Sequence, residues 1–562
     1  MTATSQSAPA AVPLGGLWRR QLDHYPQTRA RIMYLAIVVL ATIILYYELY
    51  VPGAVSPSII SGLGMTFPFY VYISVVGNAV GAFGSLLAGL ADRWGRANLV
   101  AYGLIITALL TLLGIPNVTA KWEYAVLFVI IGMVEGVILV ATPALVRDFS
   151  PQLGRASAMG FWTLGPVVGS LVVAVVASNT LGSLHAWQDQ FIICGIVGLV
   201  VGLVALFGLR ELSPRLRDQL MVSLHDRALI EARAKGLDIA ASLRRPWRQM
   251  MHLDVIGSAF AIAVFLLIYY TAVGFFTVYF STIHGYSLSK ANSIGNWFWA
   301  FDAGVLIVVG IVSDRFRVRK PFMVLGGIGS IVMTIVFLNL GSTASYGTLV
   351  TVISVLAAFL AIAYAPWMAS FTETVEKHNP ALTATGLAVW GWIIRVVIAV
   401  SVFIMPFVVS SMTPLVTYGT QVSTLSTQYA PQLATMSAID PKTLAALQAN
   451  PSDTAAAVTA VGEVAKKFSV TPAVATTRLT ALSAVPRADL AYLGDHAPAV
   501  QAAAAAAPGE WKNWWWVCVG GEVVFLPFIL VMAGRWSPKK AREDAEEHER
   551  LVAGELAALP DQ

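Results

Sequence analysis

The sequence predicts an all-α membrane protein. Twelve transmembrane helices form two six-helix halves, related by a pseudo-two-fold axis along the membrane normal. Three observations carry this. The chain is too apolar for a soluble domain: 57% of its 562 residues are hydrophobic and 12% charged, its mean hydropathy is +0.71, and soluble domains are about 25% charged. Apolar runs of bilayer length recur twelve times between clusters of charge. Landmarks of the first six runs return in the second six at one offset. The same composition excludes a disordered chain, a coiled coil and a conventional soluble enzyme.

The tail 1–31 is polar and carries Arg19, Arg20, Arg29 and Arg31. It is too long and basic for a secretory signal, and no small-residue cleavage site follows the first run, so that run reads as a retained span. Runs near 32–54, 67–90, 98–116, 123–145, 157–178 and 190–209 make an N-terminal half, 32–210. A central loop, 211–253, follows. There Leu216, Leu220, Leu224 and Ala228 recur every fourth residue, which suggests an amphipathic helix under the bundle. Runs near 255–281, 290–312, 321–340, 347–369 and 383–410 give the first five helices of the C-terminal half, 254–410.

A long loop, 411–511, precedes the twelfth helix, 512–534, and a charged tail, 535–562. The loop is rich in Ala and Thr. It reads as short helical stretches broken by Pro431, Pro441, Pro451, Pro472, Pro486, Pro498 and Pro508, and as an accessory cover outside the membrane core. Trp511, Trp514, Trp515 and Trp516 are expected as interfacial anchors of the last span.

Basic residues set the orientation. Arg93 and Arg96, Arg147 and Arg155, the stretch 210–248, and Arg315, Arg317, Arg319 and Lys320 all fall on the side of both termini. The positive-inside rule makes that side cytoplasmic, in a multi-pass protein of the plasma membrane. The net charge of +5 is loop asymmetry; no basic stripe with interleaved aromatics suggests nucleic-acid binding. Cys194 and Cys518 lie inside apolar runs, so no disulfide framework, metal site or cofactor site is expected.

The repeat is specific. Leu45-Tyr46-Tyr47-Glu48 matches Ile268-Tyr269-Tyr270-Thr271 at an offset of 223. Ala88-Gly89-Leu90-Ala91-Asp92-Arg93 matches Gly310-Ile311-Val312-Ser313-Asp314-Arg315 at 222, and Pro143 matches Pro366 at 223. Two halves of like orientation place a binding site between them, near mid-membrane.

The run from Ala88 to Arg96 resembles the loop signature of the major facilitator superfamily, Gly-x-Leu-Ala-Asp-Arg-x-Gly-Arg between spans two and three. Gly310 to Lys320 resembles its degenerate second copy. Ala88 departs from the leading Gly, and Arg317 stands where the second copy would carry its later Gly. Gly95 suits a tight turn, and Asp92 can cap a helix N-terminus. The resemblance implies a gating role for Asp92, Arg93 and Arg96, with Asp148 as partner of Arg96, and a lesser one for Asp314 and Arg315. Gly165-Pro166-Val167-Val168-Gly169 partly resembles a signature of drug–proton antiporters, but Gly132 stands where their fourth-span arginine would be. Glu211-Leu212-Ser213-Pro214-Arg215 is faintly similar to a run of sugar and metabolite symporters.

Ionisable groups within spans default to functional hypotheses. These are Glu48, Glu135, Asp302, Arg395 and Glu522. The resemblance makes spans one, four, seven and ten cavity-lining, which ranks Glu48 and Glu135 first as proton carriers, with Asp302 next. Burial disfavours the charged carboxylate, so such a group can load and release a proton as water access alternates. Glu522 reads as structural. Arg395 suits either an anionic substrate group or an acidic side chain. Tyr46, Tyr47, Tyr269, Tyr270 and Trp390 are candidate cavity walls.

The expected function is secondary active transport of a small organic solute, as a proton-coupled symporter or antiporter. No phosphate-binding loop supports direct use of ATP. The alternative is a transport-inactive sensor or scaffold that binds a partner through 411–511. An enzyme is not expected, because the spans hold no nucleophile–base pair or metal-ligand cluster.

Overall fold

The structure, a computed structural model, describes residues 18, 20–86, 94–149, 164–213, 216, 246–379, 383–450, 452–540, 542–543, 546–547 and 550. Asp92, Arg93, Arg155, Pro451 and nearly all of the expected amphipathic helix lie outside them.

Eleven helices among the described residues are long and apolar enough to cross a membrane. The shorter helix Gly165–Thr180 fills the place of the fifth span. In the first half the spans are Thr28–Ala54, Phe67–Leu86, Arg96–Asn117, Lys121–Phe149, Gly165–Thr180 and Trp187–Gly208. In the second they are Leu253–Ile283, Leu288–Phe316, Lys320–Leu338, Tyr346–His378, Thr383–Val408 and Arg487–Val531. Helices are what such runs must form, because only they satisfy their own backbone groups in hydrocarbon. Successive spans run antiparallel. The end carrying Arg96 and Arg319 is called the basic end, and the end carrying 412–483 the loop end.

Glycines bring the helices of the first half together. The second and fourth spans meet backbone to backbone: a Cβ on Gly132 would lie 3.0 Å from the Gly77 carbonyl oxygen, and one on Gly81 would lie 2.8 Å from that of Gly132. Small residues at fixed spacing allow this approach in a membrane. It also explains why no arginine can stand at Gly132. The Gly-Pro-x-x-Gly run packs likewise on the first span, where a Cβ on Gly169 would lie 2.6 Å from Tyr46 Cβ.

Burial repeats between the halves as faithfully as the sequence landmarks do. Buried Gly103, Thr107 and Thr111 of the third span recur as buried Gly326, Ser330 and Thr334 of the ninth, each 223 residues on. Two irregularities break the symmetry. The third span winds as a π-helix over Leu110–Gly114, and the seventh is interrupted at Leu266, just before its tyrosines.

The halves meet where the fifth span packs on the eighth and the second on the eleventh. Near the loop end the seam is tied. Asn292 Nδ2 donates to the Ala54 carbonyl (2.9 Å), Ser289 Oγ to the Ser178 carbonyl (2.6 Å), and Asn296 Nδ2 to Ser178 Oγ (2.9 Å).

Two expectations need correction. Pro498 and Pro508 do not break helices; both lie inside Arg487–Val531, which begins well before the span expected at 512. The Ala502–Ala507 run favours helix strongly enough to carry the lost hydrogen bonds. Elsewhere proline starts helices: Ala430–Met436, Pro441–Ala449 and Pro472–Ser483 each carry one in the first turn. Nor do the four tryptophans all act as anchors. Trp511, Trp514 and Trp515 share one helix face and are buried in the main core; Trp516 is exposed.

The loop has two parts. Ile439, Ala460, Val464, Ala475 and Leu482 form a small core of their own. Its base, Met412–Thr417, belongs instead to the main core, with Met412 and Val416 buried in the same cluster as Ile59 and Ile60 of the first half. The Glu510 carboxylate fastens this base, accepting from Ser411 N (2.8 Å) and Ser410 Oγ (3.0 Å). Tyr429 and Asp489 are hydrogen-bonded (2.8 Å), which brings the ends of the outer part together. Replacing 430–486 by a short flexible linker should therefore leave a monodisperse, folded bundle, since closing a loop costs little. Extending the deletion through Met412 should not. Size-exclusion chromatography in mild detergent checks both, and equal profiles would show the base to be dispensable.

Candidate functional site

Both halves contribute tyrosines to one wall at the seam. Tyr46 and Tyr50 of the first span have ring centroids 5.4 Å apart, as do Tyr269 and Tyr270 of the seventh. Tyr50 lies within electrostatic range of Tyr46, Tyr270 and Tyr364, the last from the tenth span. Trp299 of the eighth span meets Tyr269 edge-on at 5.0 Å. Asp302, less than a turn further on, is buried near Tyr269 and Tyr364. Arg395 of the eleventh span is half-buried beside Tyr46. Trp390 and Trp367 stand 5.9 Å apart, and both indole N–H groups are buried without a hydrogen-bond partner. The wall thus offers aromatic faces, unused donors, one guanidinium and one carboxyl.

Glu48 lies elsewhere. It is two residues past Tyr46, about 200° round the helix, and its side chain points into the first half. A Cβ on Gly198 of the sixth span would lie 3.1 Å from Glu48 Cδ and 3.1 Å from Ala108 Cβ of the third. Tyr47 turns the same way, toward Cys194 and Glu48. Glu135 of the fourth span is within electrostatic range of both Glu48 and Tyr46, and so connects the inner pair with the wall. Glu48 is 3% exposed and Glu135 1% exposed. None of their four carboxyl oxygens has a hydrogen-bond partner. Of the tyrosine pairs, then, the structure gathers Tyr46, Tyr269 and Tyr270 at the seam and directs Tyr47 away from it.

The basic end carries one latch per half. Gly95 adopts φ 90°, a conformation that favours glycine, and a Cβ there would also meet the Glu211 carboxylate at 2.5 Å. Arg96 Nη1 reaches both oxygens of Asp148 (2.8 and 3.0 Å). In the second copy Arg317 replaces glycine and still turns left-handed, with φ 54°. Arg319, 223 residues after Arg96, meets Glu373 of the tenth span at 3.2 Å and Asp314 at 2.7 Å. Arg315 is exposed.

Several of these residues escape sequence reasoning. Arg20 reads as one more topological charge, yet its guanidinium is buried and donates to Asn98 Oδ1 (2.7 Å) and to the Ala97, Ala205 and Leu206 carbonyls. Glu211 accepts from Ala97 N (3.3 Å) at the start of the third span. Tyr364 had a signal, its place two residues before the repeated proline. Glu373 lies two residues past the repeat position of Asp148, so the constant offset did not point to it. Among the described residues no cluster of three His, Cys, Asp or Glu side chains could hold a metal.

Residues 38–402 match the sequence profile of the Major Facilitator Superfamily. The chain belongs to this family. A probable anion transporter of chloroplasts from Oryza sativa subsp. japonica is 26% identical over 40% of this chain and 44% of its own. A gentisate transporter of Corynebacterium glutamicum is 30% identical over 30% and 38%. The matches thus span less than half the length of these two relatives. The superfamily fold is also that of a bacterial homologue of the human lysosomal transporter Spinster, with a TM-score of 0.54 at 16% identity over 91% of this chain and all of that one.

The two latches differ in burial. Asp148 has 5% of its side chain exposed and Asp314 69%. Asp148→Asn should cost about 1.5–3 kcal/mol, the value of a charge-assisted bond lost from a shielded arginine. Asp314→Asn should cost at most about 1 kcal/mol. Thermal unfolding in detergent tests the order, and equal midpoint shifts would contradict it.

Proposed function

We propose that this membrane protein is a secondary transporter of a small organic solute and not an enzyme. It works by alternating access and is coupled to protons. The observation that carries the coupling is the pair Glu48 and Glu135, buried in an apolar bundle with no oxygen hydrogen-bonded. A charged carboxylate there is too costly to persist, so each acid holds its proton while the site is dry. When water enters from one side the proton can leave. Glu135 lies within range of the seam wall, so solute bound at Tyr46 alters the field it senses.

The solute site in this reading is the wall of Tyr46, Tyr50, Tyr269, Tyr270 and Tyr364, with Arg395 and the Trp390 indole as polar contacts and Asp302 as a third candidate for the proton. Arg395 can grip an acidic group in two-pronged fashion. Two relatives named for an anion and for gentisate support a solute with such a group. Alternating access requires the loop-end ties of Asn292, Ser289 and Asn296 to break as the other end closes. The basic loops support a cytoplasmic basic end in a cell membrane.

Glu48→Gln keeps the shape of the side chain and cannot release a proton. In proteoliposomes with an imposed proton gradient and a panel of organic anions, it should abolish accumulation and leave solute exchange largely intact. Accumulation at the wild-type level would remove Glu48 from coupling.

A further inference from the structure

The two halves bury carboxyl groups at the same point of their repeat, but from opposite helices. The sixth and twelfth spans correspond at an offset of 324. Trp187, Phe191, Cys194, Val201 and Ala205 become Trp511, Trp515, Cys518, Phe525 and Ile529, and all ten are buried. On this register Gly198 becomes Glu522. On the first and seventh spans, at offset 223, Glu48 becomes Thr271. So the first half pairs Glu48 with Gly198, and the second pairs Thr271 with Glu522. The contacts agree. In the first half the Glu48 carboxyl fills the space beside Gly198, near Cys194. In the second, Thr271 lies beside Cys518 and accepts from Trp514 Nε1 (3.0 Å), while Glu522 stands one turn further along the twelfth span.

The nodes differ in what holds the acid. Thr334 of the ninth span donates to Glu522 Oε1 at 2.8 Å, at a residue with no exposed surface, so that one oxygen is held and Oε2 alone has no partner. Its counterpart Thr111 sits in the π-helical turn Leu110–Gly114 and leaves both Glu48 oxygens without a partner. The ninth span is regular α-helix at Thr334, whereas the third is π-helical at Thr111, the rarer conformation that is frequent at functional sites. A second acid, Glu135, adds its field only in the first half.

We infer that each half is built round one carboxyl node, where its first, third and sixth helices meet, and that the nodes have divided their work. The first, unpinned, exchanges the proton. The second, pinned by Thr334, is the same node in locked form, neutral throughout the cycle. The division rests on the coupling reading given above; the equivalence of the two places does not.

Exchange variants test it, with proton-driven accumulation and thermal stability as readouts. E48T should lose accumulation. E48T/G198E, which puts the acid on the sixth span as in the second half, should regain more than half of it, because the group nearest a side chain at Gly198 is the Glu48 carboxyl itself, and Ala108 Cβ, at 3.1 Å, has to give only slightly. E522Q, which keeps an oxygen for Thr334, should retain accumulation. A folded E48T/G198E that stays uncoupled would overturn the equivalence, and a folded, uncoupled E522Q would overturn the division. Accumulation surviving in E48T would instead overturn the coupling reading and leave the equivalence to be judged by stability. The same judgement applies if E48T/G198E does not fold: E522G should lower the unfolding midpoint, and T271E/E522G should recover it. Failure of that recovery would overturn the equivalence.

Discussion

Apolar surroundings give a buried carboxyl two ways to exist, as a neutral acid or as a group tied to partners, and the rest of this protein is arranged round that choice. In the first half neither Glu48 nor Glu135 is tied. In the second, Glu522 is tied at one oxygen, by Thr334. A structure that needed only stability would fill such places with apolar side chains, which are often at least as stable. Keeping two unpartnered acids near each other, within range of an aromatic wall shared by both halves, makes sense where protonation is part of the work.

The framework lets those acids sit where they do. Glycine contacts at Gly77, Gly81, Gly132 and Gly136 draw the second and fourth spans together, and Gly165 and Gly169 draw the fifth onto the first. Gly198 leaves room for the Glu48 carboxyl in the same way. Close backbone approach is thus both the packing force of the half and the means of making its polar site. At the basic end, paired arginine–acid latches hold each half's third and ninth spans to the fourth and tenth. Both latches lie within a half and neither crosses the seam.

Much of this was legible in the sequence because membrane helices announce themselves by length and polarity, and duplication by a constant offset. The spans, the two halves, the repeated tyrosines and the Arg96–Asp148 pair could all be named from it. What it could not give was rotation. Nothing in Tyr46-Tyr47-Glu48 states which face meets the seam, and the structure divides the three between two sites. Arg20 and Glu211 were hidden because a charge near a helix end looks the same whether it is solvated or capping a buried turn. Pro498 and Pro508 misled because proline's local preference is weaker than a long alanine-rich helix anchored at both ends. The carboxyl exchange between Glu48 and Glu522 stayed hidden because the 411–511 insertion displaces the register of the twelfth span.

Proton occupancy of the first-half acids is the central claim, and it can be read without knowing the solute. Infrared difference spectra of the reconstituted protein, recorded as pH is cycled, report the carbonyl band of protonated carboxyl groups. The account predicts a band that gains and loses intensity with pH in the wild type and in E522Q, and that is strongly reduced in E48Q and E135Q. A band unchanged in both E48Q and E135Q would contradict it.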